Sequence, residues 1–207
     1  MGNQNYYTDR FIKHVKYKCK RYNIKLTIIN SNVITMPEGE RVAGYFIDDP
    51  LEIAIARTKS NDWLSTLVHE FSHLEQWIDN DVDYLAKYKR THAYQIISHW
   101  INGKEYTKST INSCLALIRQ CELNCERRTI KNIIKHNLPI NIDTYIKQAS
   151  AYIHFYNYIK FTRTWNMGNS PISIPEILEK MPSNLDGTFV KFPVKLKQLY
   201  DYHLTVA

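Results

Sequence analysis

Residues 64–77, LSTLVHEFSHLEQW, constrain this chain more than any other stretch, because a helical hydrophobic period runs straight through His69-Glu70-Phe71-Ser72-His73. Leu64, Leu67, Val68, Phe71, Leu74 and Ile78 recur at three- and four-residue spacing, the pattern of a helix that buries one face. On that helix His69 and His73 stand one turn apart on the same side, so both imidazoles can reach a single cation. Glu70 is turned by about 100° from His69, where its carboxylate can hold a water on that cation. This is the geometry of a zinc hydrolase. With 8 histidines in 207 residues, an accidental HExxH arises roughly 0.015 times per shuffled chain. The rival reading makes His69 and His73 ordinary helix residues and Glu70 a solvated charge. Ser60 and Asn61 read as caps of this helix, with Asp62 in its first turn.

A chain of 207 residues with 44% hydrophobic content suits a single domain over 1–207, with a core over about 25–165 and a helical or irregular extension over 166–207. The net charge of +7 suits an acidic partner surface or nonspecific nucleic-acid affinity, and equally plain solubility. No apolar run approaches the ~20 residues of a membrane span, and the N-terminal stretch lacks the apolar centre of a secretory signal. The expected location is therefore the cytoplasm, that of a host if the chain is viral. Cys19, Cys114, Cys121 and Cys125 read as reduced thiols.

Along the chain, residues 5–22 read as an amphipathic helix with Tyr7, Phe11, Val15, Cys19 and Tyr22 inward. Arg10, Lys13, Lys16, Lys20 and Arg21 lie largely elsewhere, a basic face that is favoured as solvated over phosphate-contacting. Residues 25–36 read as two short strands around an Asn-Ser-Asn turn, and 41–47 with 51–56 as a hairpin around Asp48-Asp49-Pro50. The second strand of that hairpin alternates Leu51, Ile53 and Ile55 inward against Glu52, Ala54 and Ala56 outward. In zinc peptidases a strand in this place forms the rim of the cleft, where a peptide substrate adds to a free edge; the other reading is an internal, fully paired strand. A long helix follows over 109–136, with Ile111, Cys114, Leu115, Ile118, Cys121, Cys125, Ile130, Ile133 and Ile134 as its apolar set. Leu138-Pro139 stops it, and Asp143 caps a further helix from 144 to about 165.

A catalytic zinc takes three protein ligands and keeps one open position. Glu122 on the long helix is the candidate third donor. Glu126 shares its face one turn on, so one carboxylate can bind the metal while the other accepts a hydrogen bond from the far nitrogen of a ligating histidine. A closed site of His69, His73, Cys121 and Cys125 is the competing metal reading, but the cysteines continue the apolar stripe of Cys114 and Ile118 and read as core. An oxyanion-stabilising donor would come from Tyr145, Tyr152, His154, Tyr156 or Arg163, of which Tyr152 is the choice.

With these residues the chain resembles the gluzincin metallopeptidases, whose third ligand is the first Glu of an ExxxD-like motif. The resemblance extends to the ExxAD form of CAAX-type and ImmA/IrrE-like peptidases through Glu122-Leu123-Asn124-Cys125-Glu126-Arg127. It implies Glu122 as ligand, Cys125 as the small packing residue and Glu126 as the acid beside the metal ligands. Glu126 stands where the pattern has Asp, so which carboxylate touches zinc stays open. The chain is also similar to bacteriophage HExxH proteins to which no function is attached.

These readings converge on an α+β, zincin-like fold with a small, mainly antiparallel sheet, an active-site helix and additional helices. The expected function is zinc-dependent hydrolysis of peptide bonds by an endopeptidase. His69, His73 and Glu122 bind Zn2+, Glu70 and Tyr152 are catalytic, and the partner is a protein or peptide, with no membrane and nucleic acid not favoured. The alternative is a noncatalytic, zinc-stabilised or virion-associated binding protein whose basic helix contacts nucleic acid.

Overall fold

A computed structural model of the chain describes residues 2–37, 39–58, 62–90, 92–165 and 169–204, with backbone alone at 2–5, 89 and 90. The expected caps Ser60 and Asn61 lie outside the described residues. The architecture is α+β, mostly helical, with a three-stranded and a two-stranded sheet whose pairing is mostly antiparallel. Packing divides the chain into two compact units, Met1–Asp79 with Arg128–Asn141, and Asn80–Arg127 with Ile142–Ala207.

In the first unit, helix α1 (Gly2–Arg21) buries Phe11, Val15 and Cys19. It ends at Asn23, which adopts φ 54°, while the Ile24 N–H bonds the Cys19 carbonyl at 2.8 Å. Such a left-handed residue satisfies the last carbonyls of the helix and turns the chain into a strand. The strands are β1 (Lys25–Ile29), β2 (Ile34–Thr35), β3 (Arg41–Val42), β4 (Gly44–Asp48) and β5 (Leu51–Ala56). Two short strands do form in 25–36, but they do not pair with each other. β1 runs parallel to β5, whereas β2 pairs antiparallel with β3. The β4–β5 hairpin is present, with Phe46 opposite Ile53.

The order β1-β5-β4 makes β5 the central strand, which overturns its reading as a rim strand with a free edge. The expected outward residues are buried as well, because both faces of the strand are covered. Helix α2 (Asp62–Ile78) packs on the face that bears Ile55, and Ile34, Val42 and Tyr45 pack over Ala54 and Ala56. Glu52 is buried too, and accepts hydrogen bonds from Thr27 Oγ1 at 2.8 Å and Lys25 Nζ at 3.0 Å. Gly44 marks how closely α2 lies on the sheet: a Cβ there would sit 2.6 Å from Thr66 Cγ2 and 2.9 Å from Ile55 Cδ1.

The second unit is helical. Asp81 caps α3 (Val82–Leu85) by accepting from the Asp83 and Tyr84 N–H groups, and a π-helical turn, Ala86–Arg90, follows directly. Then come α4 (Ala93–Ile101), α5 (Lys108–Lys135), α6 (Ile142–Thr162), a 3-10 turn (Pro171–Ser173), α7 (Pro175–Leu178) and α8 (Val194–Leu204). Helix α5 is one continuous element whose residues up to Arg127 belong to the second unit and whose residues from Arg128 belong to the first. Its apolar set is largely as expected, except that Ile134 is 57% exposed and Leu123 is buried in its stead. Asp143 lies inside the first turn of α6 rather than capping it, because that helix begins at Ile142. Among the described residues no helix is long and apolar enough to cross a membrane.

Candidate metal centre

Helix α2 forms as the periodicity requires, with Leu64, Leu67, Val68, Phe71 and Leu74 all buried. Its other side carries the HExxH residues, Glu70 and His73 buried and His69 half-buried. The two imidazole rings lie edge to face, with centroids 4.8 Å apart. His73 Nδ1 is 2.8 Å from Gln76 Oε1, inside the protein. The amide oxygen can only accept, so Nδ1 carries the proton and the lone pair sits on Nε2. That is the tautomer of an imidazole prepared to ligate a metal, held by a hydrogen bond from behind.

A polar cluster on the same helix anchors it within the first unit. Ser72 donates to the Val68 carbonyl at 2.9 Å and accepts from Thr129 Oγ1 at 3.0 Å and Asn132 Nδ2 at 3.3 Å. Asn132 also donates to Glu75 Oε2 at 2.8 Å, and Arg128 pairs with Asp79 at 2.6 Å. Behind α2, the His14 and His136 rings lie tilted against each other, centroids 5.0 Å apart, among Phe11 and Phe71. Burial, helped by repulsion from His14 when that ring is protonated and by the Lys135 and Arg10 charges, pushes His136 down to about 4. Both rings are thus kept neutral at neutral pH, since His14 is also lowered, by burial and by Lys18 and Lys135 against the opposing pull of Glu75.

The two carboxylates expected near the metal are buried on α5 in the second unit, each with a partner there. Lys87, only 2% exposed, donates to Glu122 Oε1. Its ammonium also lies 4.5 Å from the Tyr88 ring centroid and 5.8 Å from that of Tyr94. Burial pulls Lys87 toward neutrality, but the Glu122 charge outweighs it and holds the ammonium well above its usual range. Lys87 sits in the π-helical turn, a local widening of the helix of a kind frequent at functional sites. Glu126 Oε2 accepts a hydrogen bond from the Tyr145 hydroxyl. Cys121 and Cys125 are fully buried free thiols, and burial drives the Cys121 titration upward, so its thiol stays protonated.

The other members of the expected donor pool are spread over the second unit. Tyr152 is 37% exposed and rests against Phe155 and, at 5.4 Å, Tyr156. Tyr156 is buried, and burial together with the Glu122 charge moves its phenol well up. His154 is enclosed by Phe189 and Phe192 and lowered to about 4 by burial and Arg119, and its Nδ1 has no hydrogen-bond partner among the described residues. Arg163 donates to the Trp100 carbonyl at 2.7 Å and to Glu105 at 3.0 Å, closing the end of α4.

Sequence reasoning missed two residues here. Gln76 had a signal, standing three residues beyond His73 on the same helix, where side chains meet. Lys87 had none, since lysine is almost never fully buried unless paired, and its partner lies 35 residues away. No family model, no curated protein and no solved structure matches this chain.

Proposed function

We propose that the protein is a zinc-dependent peptidase, with His69, His73 and Glu122 as metal ligands. The observation that carries this reading is the histidine pair of α2, one turn apart with rings 4.8 Å from each other and His73 held by Gln76 in the ligating tautomer. The donor set suits zinc, which takes imidazole nitrogen and carboxylate oxygen in three-ligand catalytic sites. Lys87 bonds one oxygen of Glu122, and a carboxylate with two oxygens and about four lone-pair sites keeps capacity for a metal beside it. Glu122 is carried on the same continuous helix whose Thr129 and Asn132 bond Ser72 of the HExxH helix.

When bound, zinc would polarise the scissile carbonyl and acidify a water. The chain's own contribution is proton traffic. Glu70 takes a proton from the attacking water as the C–O bond forms, then delivers it to the leaving nitrogen as the C–N bond breaks, so one water is consumed per bond cleaved. Tyr152 is the proposed hydrogen-bond donor to the developing oxyanion. Glu126, held by Tyr145, is the acid that supports the ligand set.

The buried Lys87–Glu122 pair favours one rival, a noncatalytic protein in which Glu122 serves the interior of the second unit and a thiolate such as Cys125 completes a structural zinc site. Metal analysis with a casein cleavage assay separates the two. The wild type is expected to hold one zinc and to cleave, Glu70→Gln to keep zinc and lose activity by about 10²–10⁴-fold, and Glu122→Ala to lose most of the zinc. Zinc lost from Cys125→Ser but retained in Glu122→Ala would establish the rival instead.

A further inference from the structure

Helix α1 presents a second surface, unrelated to the histidines of α2. Its buried stripe of Phe11, Val15 and Cys19 defines the inner side. At about 100° per residue, Lys16, Lys20, Lys13, Arg10 and Arg21 then fall within one outer arc of roughly 140°. All five are exposed, and Asp9 is the one acid among them. Among the described residues none of the five takes part in an ion pair.

Tyr6 and Tyr17 stand in the middle of the same arc, 58% and 60% exposed. They are separated by roughly 16 Å along the axis at ~1.5 Å per residue. Exposed phenol rings interleaved with unpaired cations supply the two elements that a single strand of nucleic acid requires, charge for its phosphates and flat faces for its unstacked bases. A bilayer would instead call for large aliphatic or indole side chains to insert, and this arc carries none.

We infer that the outer face of α1 binds single-stranded nucleic acid, with Arg10, Lys13, Lys16, Lys20 and Arg21 on phosphates and Tyr6 and Tyr17 stacked on bases. This surface stands whether or not the protein hydrolyses peptides. It is tested on the full chain by fluorescence anisotropy with a fluorescein-labelled 20-nucleotide oligothymidine over a salt series. Three to five phosphate contacts give a log–log salt slope of about −2 to −4. The triple variant Lys13→Glu, Lys16→Glu, Lys20→Glu is expected to bind at least about 100-fold more weakly with a flatter slope. A control of equal charge change on exposed residues of the second unit, Lys180→Glu, Lys191→Glu, Lys195→Glu, should stay within about 3-fold. Tyr17→Ala and Tyr6→Ala are expected to cost about 5–100-fold each with the slope retained. Glu70→Gln should bind as the wild type does.

Equal losses in the two triple variants would reduce the effect to net charge and overturn the inference. So would neutral tyrosine variants together with equal competition by duplex DNA, or binding to phosphatidylserine vesicles without binding to the oligonucleotide. Circular dichroism checks that each variant is folded; should the triple variant fail, the single variants Lys13→Gln and Tyr17→Ala carry the same test.

Discussion

On α2, His73 and Ser72 lean on neutral partners: the amide of Gln76 for the imidazole, and Thr129 and Asn132 for the hydroxyl. On α5 within the second unit, the buried carboxylates have stronger partners, a lysine ammonium for Glu122 and a tyrosine hydroxyl for Glu126. The contrast follows from what each group must keep. A ligating imidazole has to remain neutral and aimed, which hydrogen bonds worth about 0.5–1.5 kcal/mol each can secure. A carboxylate removed from water has to be compensated, and the balance of desolvation against attraction then makes each partner indispensable to the other. The first arrangement is therefore tolerant of loss, the second is not.

That asymmetry is open to direct attack. Lys87→Met strands the buried charge of Glu122, and is expected to destabilise the metal-free protein by about 3–5 kcal/mol; adding Glu122→Gln should recover most of the loss. Urea unfolding in chelator measures both variants, and a mild effect of Lys87→Met alone would mean that Glu122 is compensated in another way. Gln76→Ala leaves every charge in place and frees the His73 ring to turn. Zinc affinity is expected to fall by about 10–100-fold with little change in melting temperature, as titration against a competing chelator would reveal.

Ser72→Ala removes the hydrogen bond that the buried Thr129 hydroxyl donates, while Asn132 keeps its bond to Glu75. A cost of about 0.5–1.5 kcal/mol follows from the lost hydrogen bond, measurable by thermal melts. The smallest effect concerns pH and touches both units alike. His136 in the first and His154 in the second lie near 4, against an ordinary imidazole value of 6.5. Above pH 6.5 both states of each group are neutral, so neither contributes. As the pH falls from 6.5 toward 4 the unfolded chain takes up protons that the folded chain refuses, and stability is lost through that window. Melts from pH 7.5 to 4.5 should show a shallower loss in His136→Gln and His154→Gln; an unchanged loss would assign the acid sensitivity to carboxylates.

Several features could be read locally. The α2 helix and its inward residues, the long α5 helix, the β4–β5 hairpin and the buried stripe of α1 each follow from periods of 3.6 or 2 and from turn residues within a few positions. The errors arose where packing or the exact start of a helix decided the outcome. Ile134 continued the apolar period of α5 and is exposed, while Leu123 lies off that expected set and is buried. Asp143 looked like a cap, but capping depends on where the helix starts, and α6 begins one residue earlier.

The sequence by itself determined that a helix would carry His69, Glu70 and His73 with an apolar side to bury, because that pattern is complete within five turns of one chain segment. Only the tertiary structure decided that β1 joins β5 in parallel and makes it the central strand, and that Lys87 is buried against Glu122. Strand order and the pairing of buried charges depend on groups brought together across tens of residues. Their free energy comes from desolvation and mutual contact, which local propensity does not encode.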